Sequence, residues 1–274
     1  MSDTKTIGRL DILACPFRPP VRAGRRVRQK IKTGRNAQKE SFGPVPPDKF
    51  YIMPIINTEA IVLKCTNYRE TSKIVTFFTR SHGKIKGIAK GVRSSKTKWG
   101  GVLQSMAYLN LFLYFKENKD LHLISNAEYV MPFKSVFSDN DKMQVGFKLV
   151  ELVNRTTADN QQNREIFNLL KNMLLSLDSA TKNYVNLLFY YEFKLCELLG
   201  FGINPEMPDF KLNRGERKSI EFIREGNFNS LLNLNISRQT AENFENFFEN
   251  FFKNHLEHIN KSKSIKVFRS QEVS

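Results

Sequence analysis

The stretch "GKIKGIAKGVRSSKTKWGG", residues 83–101, carries six basic side chains, no acidic one and the chain's single Trp. Lys84, Lys86, Lys90, Arg93, Lys96 and Lys98 are cationic donors suited to phosphate oxygens. An enzyme pocket would normally interrupt such a row with an acid or a nucleophile. In an extended strand, residues two apart share a face and stand about 6.6 Å from one another. Lys84, Lys86 and Lys90 therefore share one face, with Ile85, Gly87 and Ala89 on the inward one, and such a row contacts successive phosphates. Arg93, Lys96 and Lys98 continue the charge into "RSSKTKW", whose composition is that of an exposed loop. Trp99 either stacks on a base, worth about 1–3 kcal/mol, or packs on the barrel rim beside Gly100 and Gly101. Nothing here spells a base-specific code, so the binding implied is phosphate-led, salt-sensitive and largely independent of sequence. Arg69, Lys73 and Arg80, with Lys64, are contacts of second rank. Tyr68, Tyr108, Phe112 and Tyr114 are either stacking groups or core aromatics of a β-structure.

Other chemistry is thin. His82 falls in a turn, His122 in a strand pattern, and His255 and His258 lie three apart on a helix without the further ligands zinc requires. There is no phosphate-cradling GxxxxGK[ST], no GxSxG and no clustered carboxylate set for two-metal phosphoryl transfer. "GFGIN" at 200–204 follows a helix and reads as its C-cap. No catalytic residue, metal or cofactor is expected. Cys15, Cys65 and Cys196 are odd in number and widely spaced, which fits reduced thiols and a cytoplasmic setting rather than a disulfide framework. No run of apolar residues is long enough to span a membrane.

The charge is unevenly spread over the 274 residues. Residues 1–50 hold 12 basic and 4 acidic side chains, residues 51–135 hold 13 and 5, and the remainder holds 18 of each. The net +16 thus lies entirely in the first half, which favours a polyanionic partner there and leaves the second half neutral.

The elements that position the basic row follow from hydrophobic period. Residues 1–52, rich in Arg, Pro and Gly without a sustained period, read as a basic, disordered extension ahead of a start near Met53. From Ile55 the pattern alternates: "EAIVLKCTNY", "SKIVTFFT", a turn at "RSHG" with Gly83 suited to positive φ, then "KIKGIAKGV". "VLQSMAYLNLFLYFKE" reads as one long strand, with or without a bulge, presenting Met106, Tyr108, Asn110, Phe112 and Tyr114 on one face, and "LHLISNAEYV" is the fifth strand. Five β-runs in about eighty residues without helical interruption imply a small closed or nearly closed barrel over 53–132. The period then becomes helical over 133–262. Met143, Phe147, Val150 and Val153 form one face, widened by Leu149 and Leu152; "REIFNLLKNMLLSL" and "YVNLLFYYEFKLCELLGF" follow, the last ending near Gly200. Beyond Ser237, a candidate N-cap, Phe244, Phe247, Phe248, Phe251, Phe252, Leu256 and Ile259 form a stripe read as core. Residues 263–274 read as a flexible tail.

Four segments carry a family resemblance. "YRETSKIVTFFTRSHGKI" followed by "AKGVRSSKTKWGGVLQ" resembles the amino-terminal region of the bacterial recombination mediator RecO, and "FKLVELVNR" and "FYYEFKLCELLGF" resemble its helical segments, the likeness covering about residues 53–205 and more loosely reaching 262. The resemblance implies an α+β, multidomain chain with an N-terminal OB-fold followed by an all-helical domain. It implies binding of single- and double-stranded DNA, annealing of complementary strands, and help in loading the strand-exchange recombinase onto DNA coated with single-strand-binding protein. The implied partners are RecR, the acidic C-terminal tail of single-strand-binding protein and, in some systems, RecF, in the bacterial cytoplasm at the nucleoid. Lys84, Lys86, Lys90, Arg93, Lys96 and Lys98 match the family's basic DNA-binding region. Many relatives carry a four-cysteine zinc module after the "LLGF" helix; here "GINPEMPDFKLNRGERKSIEF" has no cysteine, so no zinc module is expected. An RNA-binding or RNA-remodelling factor and a purely protein-binding scaffold are the alternatives, the first separated by competition between DNA and RNA.

Overall fold

The computed structural model describes residues 55–93, 99–116, 119–203 and 212–255. The expected extension 1–52, the tail 263–274, Lys96, Lys98, Leu256, His258 and Ile259 lie outside them.

β1 runs Ile55–Tyr68, β2 Ser72–Thr79, β3 Gly83–Ala89, β4 Tyr108–Tyr114 and β5 Leu121–Met131. They close into a barrel in the order β1-β2-β3-β5-β4, the arrangement of an OB-fold. β1 is long enough to serve both neighbours. Its first half, Ile55–Ile61, pairs antiparallel with β4, and its second, Ala60–Tyr68, pairs with β2 across a bulge between Val62 and Lys64. A short parallel pairing of Lys86–Ile88 with Leu121–Leu123 completes the closure. Inward residues of alternating parity, among them Val62, Val75, Phe77, Ile85, Leu109, Leu111 and Ile124, fill the interior.

The expected single strand over 102–117 is shorter than its composition suggests. Gly100–Val102 form a 3-10 turn, Met106 adopts φ +71°, and β4 begins only at Tyr108. Met106 is fully buried beneath the helices, where a Cβ on Gly146 would lie 2.4 Å from its sulfur.

The helices are α1 (Lys134–Ser138), α2 (Asn140–Thr156), α3 (Arg164–Ser179), α4 (Val185–Leu198), α5 (Arg214–Glu225), α6 (Phe228–Asn233) and α7 (Arg238–His255). Their starts are capped as local chemistry requires: the Asp139 carboxylate accepts from Asp141 N and Lys142 N, Asn163 accepts from Ile166 N, and Asn213 with Glu216 forms a capping box. Ser237 accepts from Thr240 N, as its position before α7 implies. Gly200, at φ +85°, ends α4.

The buried face of α2 differs from the expected one. Phe147 is 42% exposed, while Val145 and Gly146 turn inward beside Leu149, Val150, Leu152 and Val153. Gly146 has this place because nothing larger fits under Met106. The Phe stripe of α7 is core: Phe244 and Phe248 are fully buried and pack against Phe189 and Phe193 of α4 at centroid separations of 4.8–6.4 Å. This helical core continues onto the outside of the barrel through Ile61, Leu63, Phe78 and Tyr108, with Phe78 and Phe167 centroids 6.3 Å apart. At about 1.5–3 kcal/mol for each large apolar side chain buried, this shared face fixes the barrel on the helical layer.

Glu192 is the exception to apolar packing. It is 1% exposed, and neither carboxylate oxygen has a hydrogen-bond partner among the described residues. Burial pushes its pKa up to about 8; Lys148 of α2 opposes the rise, and Glu245 and Glu249 of α7 add to it.

Candidate nucleic-acid interface

The basic row of β3 is graded along the strand. At one end Lys84 is only 9% exposed, because its Nζ donates to the carbonyls of Asn154 and Thr157 at the C-terminus of α2 and lies 3.3 Å from the Asp159 carboxylate. The expectation of an outward row beginning at Lys84 thus gives way to a helix cap. A cation placed on the negative end of a helix dipole is bound where it sits. The loop after α2 also lies along β3: Asn160 N donates to Lys84 O at 2.8 Å, and Gln162 Nε2 donates to Arg80 O at 3.0 Å. Gly83, at φ +66° as its turn requires, admits this approach, since a Cβ there would stand 2.0 Å from Gln161 O.

Lys86, next in the row, faces solvent yet donates to Asp159 Oδ2 at 2.7 Å. Burial would raise the Asp159 pKa, but hydrogen bonds from Lys86 and Lys84 outweigh it and hold the group below its ordinary value. Lys90 is exposed just beyond the end of β3.

Around Lys90 lies a groove of about 630 Å³ lined by Tyr68, Arg69, Glu70, Thr71, Ser72, Ile88, Lys90 and Gly91. Two turns form it, and Arg93 joins them: its backbone N–H donates to Thr71 O at 3.0 Å and its Nη1 to Arg69 O at 3.1 Å. Arg69 is held at φ +52°, a conformation that costs a non-glycine residue roughly 1–2 kcal/mol, with its guanidinium carbon 5.3 Å from the Tyr68 ring centroid. Tyr68 is 37% exposed at the groove wall, and of the four candidate stacking aromatics it alone is placed there. Tyr108 instead donates to Glu59 under the helical layer. Among the described residues, Glu70 is the single carboxylate lining the groove.

The remaining expected residues are spread more widely. Lys73 Nζ donates to the carbonyls of Gly100 at 3.4 Å and Leu103 at 3.2 Å, beneath the end of the basic loop. Trp99 is half-buried against the barrel core. Arg80 pairs with Glu59 at 2.8 Å in the β2–β3 turn, at the other end of β2 from the groove. The Tyr108 hydroxyl, against the effect of burial and with help from Arg80, keeps the Glu59 carboxyl below its ordinary pKa.

His82 and His122 lie against one aromatic ring. His122 stacks on Phe115 at 4.5 Å and His82 tilts over the same ring at 4.7 Å, and burial lowers both pKa values so that the rings stay neutral. Among the described residues no group of three or more His, Cys, Asp or Glu side chains could hold a metal ion, and no helix is long and apolar enough to cross a membrane. Asp159, the acid that partners two lysines of the row, was not legible in the sequence; it lies more than seventy residues from them and belongs to no motif.

Two family models match the chain: recombination protein O, N terminal, over residues 53–133, and recombination protein O, C terminal, over residues 138–206. A DNA repair protein RecO of Chloroherpeton thalassium is 37% identical over 150 residues, covering 55% of this chain and 58% of that protein. One of Salinibacter ruber is 34% identical over 146 residues, covering 53% and 56%. One of Thermoanaerobacter sp. (strain X514) is 26% identical over 241 residues, covering 77% and 96%. The chain thus spans a little over half the length of the first two and nearly all of the third.

Proposed function

The chain belongs to the recombination protein O family, and we propose that it is a non-enzymatic, DNA-binding recombination mediator whose barrel holds strands at the Tyr68–Lys90 groove. The observation that carries this reading is the groove itself. It combines exposed Arg69 and Lys90 with a half-open aromatic face on the barrel end that leads into the basic loop. Phosphates approach Lys90, Arg69 and Arg93, with Lys86 joining them when it exchanges Asp159 for phosphate; a base stacks on Tyr68. Two complementary strands lying on one positive surface repel each other less than in solution, which favours annealing. Lys96 and Lys98 follow Arg93 in sequence and extend the same charge. Lys84, Arg80 and Lys73 are assigned to holding the architecture rather than the ligand. Partner contacts, with RecR, the acidic tail of single-strand-binding protein and RecF, and recombinase loading are assigned to the helical layer, whose half of the chain has balanced charge.

Annealing of complementary mixed-sequence oligonucleotides, with and without single-strand-binding protein, tests this. A Lys86→Ala/Lys90→Ala/Arg93→Ala variant should anneal at least tenfold more slowly, and its salt slope for single strands should fall by about 0.7 for each phosphate no longer neutralised. Tyr68→Ala should weaken binding by about 1–3 kcal/mol, the worth of one stacked base, without altering that slope. Unimpaired annealing by the triple variant would place the site elsewhere.

A further inference from the structure

We propose, building on the interface just described, that Lys73 is a positioning residue: it clamps the Trp99–Leu103 segment against the barrel and so holds Trp99 on the barrel core and Arg93 beside the groove.

Lys73 stands on β2 with its ammonium directed at two backbone carbonyls of the Trp99–Leu103 segment, Gly100 O and Leu103 O. Both acceptors belong to a 3-10 turn and its exit, where carbonyls lack the partners a longer helix would supply. The departing arm meets the returning one at the same place. A Cβ on Gly100 would lie 2.2 Å from Val92 O, so only glycine lets the two backbones touch there. Val92 and Leu103 are buried in the barrel core, and Trp99 packs against that core. The chain therefore leaves at Arg93 and re-enters at Trp99 from a single anchored point, with Arg93 already tied to Arg69 O and Thr71 O of the groove wall. A lysine whose donors are directed to backbone carbonyls is poorly placed to neutralise a phosphate. Its effect on binding is to remove the cost of ordering Arg93 and Trp99 when a strand arrives.

This role differs from direct contact in what it perturbs. Trp99 is the only Trp, so its fluorescence reports the clamp without any nucleic acid. Lys73→Met should raise acrylamide quenching of Trp99 about twofold or more, as expected when a packed segment opens locally. It should also weaken oligonucleotide binding roughly 5- to 50-fold through the cost of re-ordering two side chains, with an unchanged salt slope. Gly100→Ala, which alters no charge, should reproduce all three results by forcing Val92 away. Lys73→Arg, which keeps charge and donors, should restore quenching and affinity towards the unaltered values. If Lys73→Met gives no cooperative thermal transition, Gly100→Ala and Lys73→Arg carry the decision. A slope lowered by about 0.7 with unchanged quenching would make Lys73 a phosphate contact and overturn the proposal. Unchanged quenching in Gly100→Ala would overturn it as well. Failure of the unaltered protein to bind any oligonucleotide would remove the interface reading and this role with it, an outcome distinguishable because quenching is read on the protein alone.

Discussion

Replacing Lys84 by Met separates a lysine that caps a helix from the lysines proposed to hold a strand. The side chain is 11% exposed and directs its Nζ to two carbonyls at the end of α2 and to the Asp159 carboxylate. A hydrogen bond to a charged group contributes about 1.5–3 kcal/mol, and a cation at a partly buried helix C-terminus contributes up to about 2 kcal/mol. These overlap, since the carbonyls are the dipole's own end. Asp159, left behind, is half-exposed and keeps Lys86, so no charge is stranded. That places the loss below the roughly 3–5 kcal/mol of a broken buried pair, at about 2–3 kcal/mol. For a body of this size the melting temperature should fall by roughly 4–12 °C. Circular dichroism melts measure this. In parallel, oligonucleotide binding by Lys84→Met at 25 °C should stay within about twofold of the unaltered protein, with the same slope of log K against log salt. A slope reduced by about 0.7 with an unchanged melting temperature would refute the reasoning, because it would require Lys84 to leave the helix end and reach a phosphate.

Three further expectations follow from named contacts. Gly83→Ala forces a side chain onto φ +66° and to within 2.0 Å of Gln161 O, so it should cost at least about 2 kcal/mol in urea denaturation; an unchanged midpoint would contradict the close packing of the α2–α3 loop on β3. Asp159→Asn should free Lys86 for phosphate, tightening binding up to about fivefold, the scale of an exposed ion pair, and steepening the salt slope by up to about 0.7; weaker binding would show that the acid positions Lys86 rather than competing for it. Glu192 binds its proton more tightly in the folded state than unfolded, so its stability contribution is present below pH 4.5 and is lost as pH rises towards about 8. Glu192→Gln should therefore be more stable than the unaltered protein at pH 8.5 and show a flatter dependence between pH 5 and 8 in denaturation series; equal pH profiles would mean that Glu192 finds a partner for its charge.

The barrel was legible because short β-branched and aromatic runs, "IVLKCTNY", "SKIVTFFT" and "KIKGIA", follow one another across turns without a helical period; the double-sided burial of Ile61, Leu63 and Phe78 belongs to the helical layer packed outside. Turn and cap residues were legible for the same local reason: Gly83, Gly200 and Ser237 do what their immediate neighbours require. The α2 face departs from its apolar period at Phe147 because the inward place beside it goes to Gly146, packed under Met106 from the segment before β4. α5 and α6 carried readable signals in the Asn213–Glu216 and Asn227–Ser230 capping boxes, which a search for long apolar periods passes over.

The sequence by itself determined the composition of the candidate interface: where the positive charge lies along the chain, and that it sits on and after a strand. Only the tertiary structure decided which of the described charges already have a partner in the fold. Strand parity places Lys84, Lys86 and Lys90 on one face, but what covers that face is set by a loop seventy residues away that brings helix carbonyls and Asp159 to its first two members. Local sequence specifies the direction of a side chain through backbone geometry, whereas its partner is specified by long-range packing, and for a cation that partner competes with any phosphate.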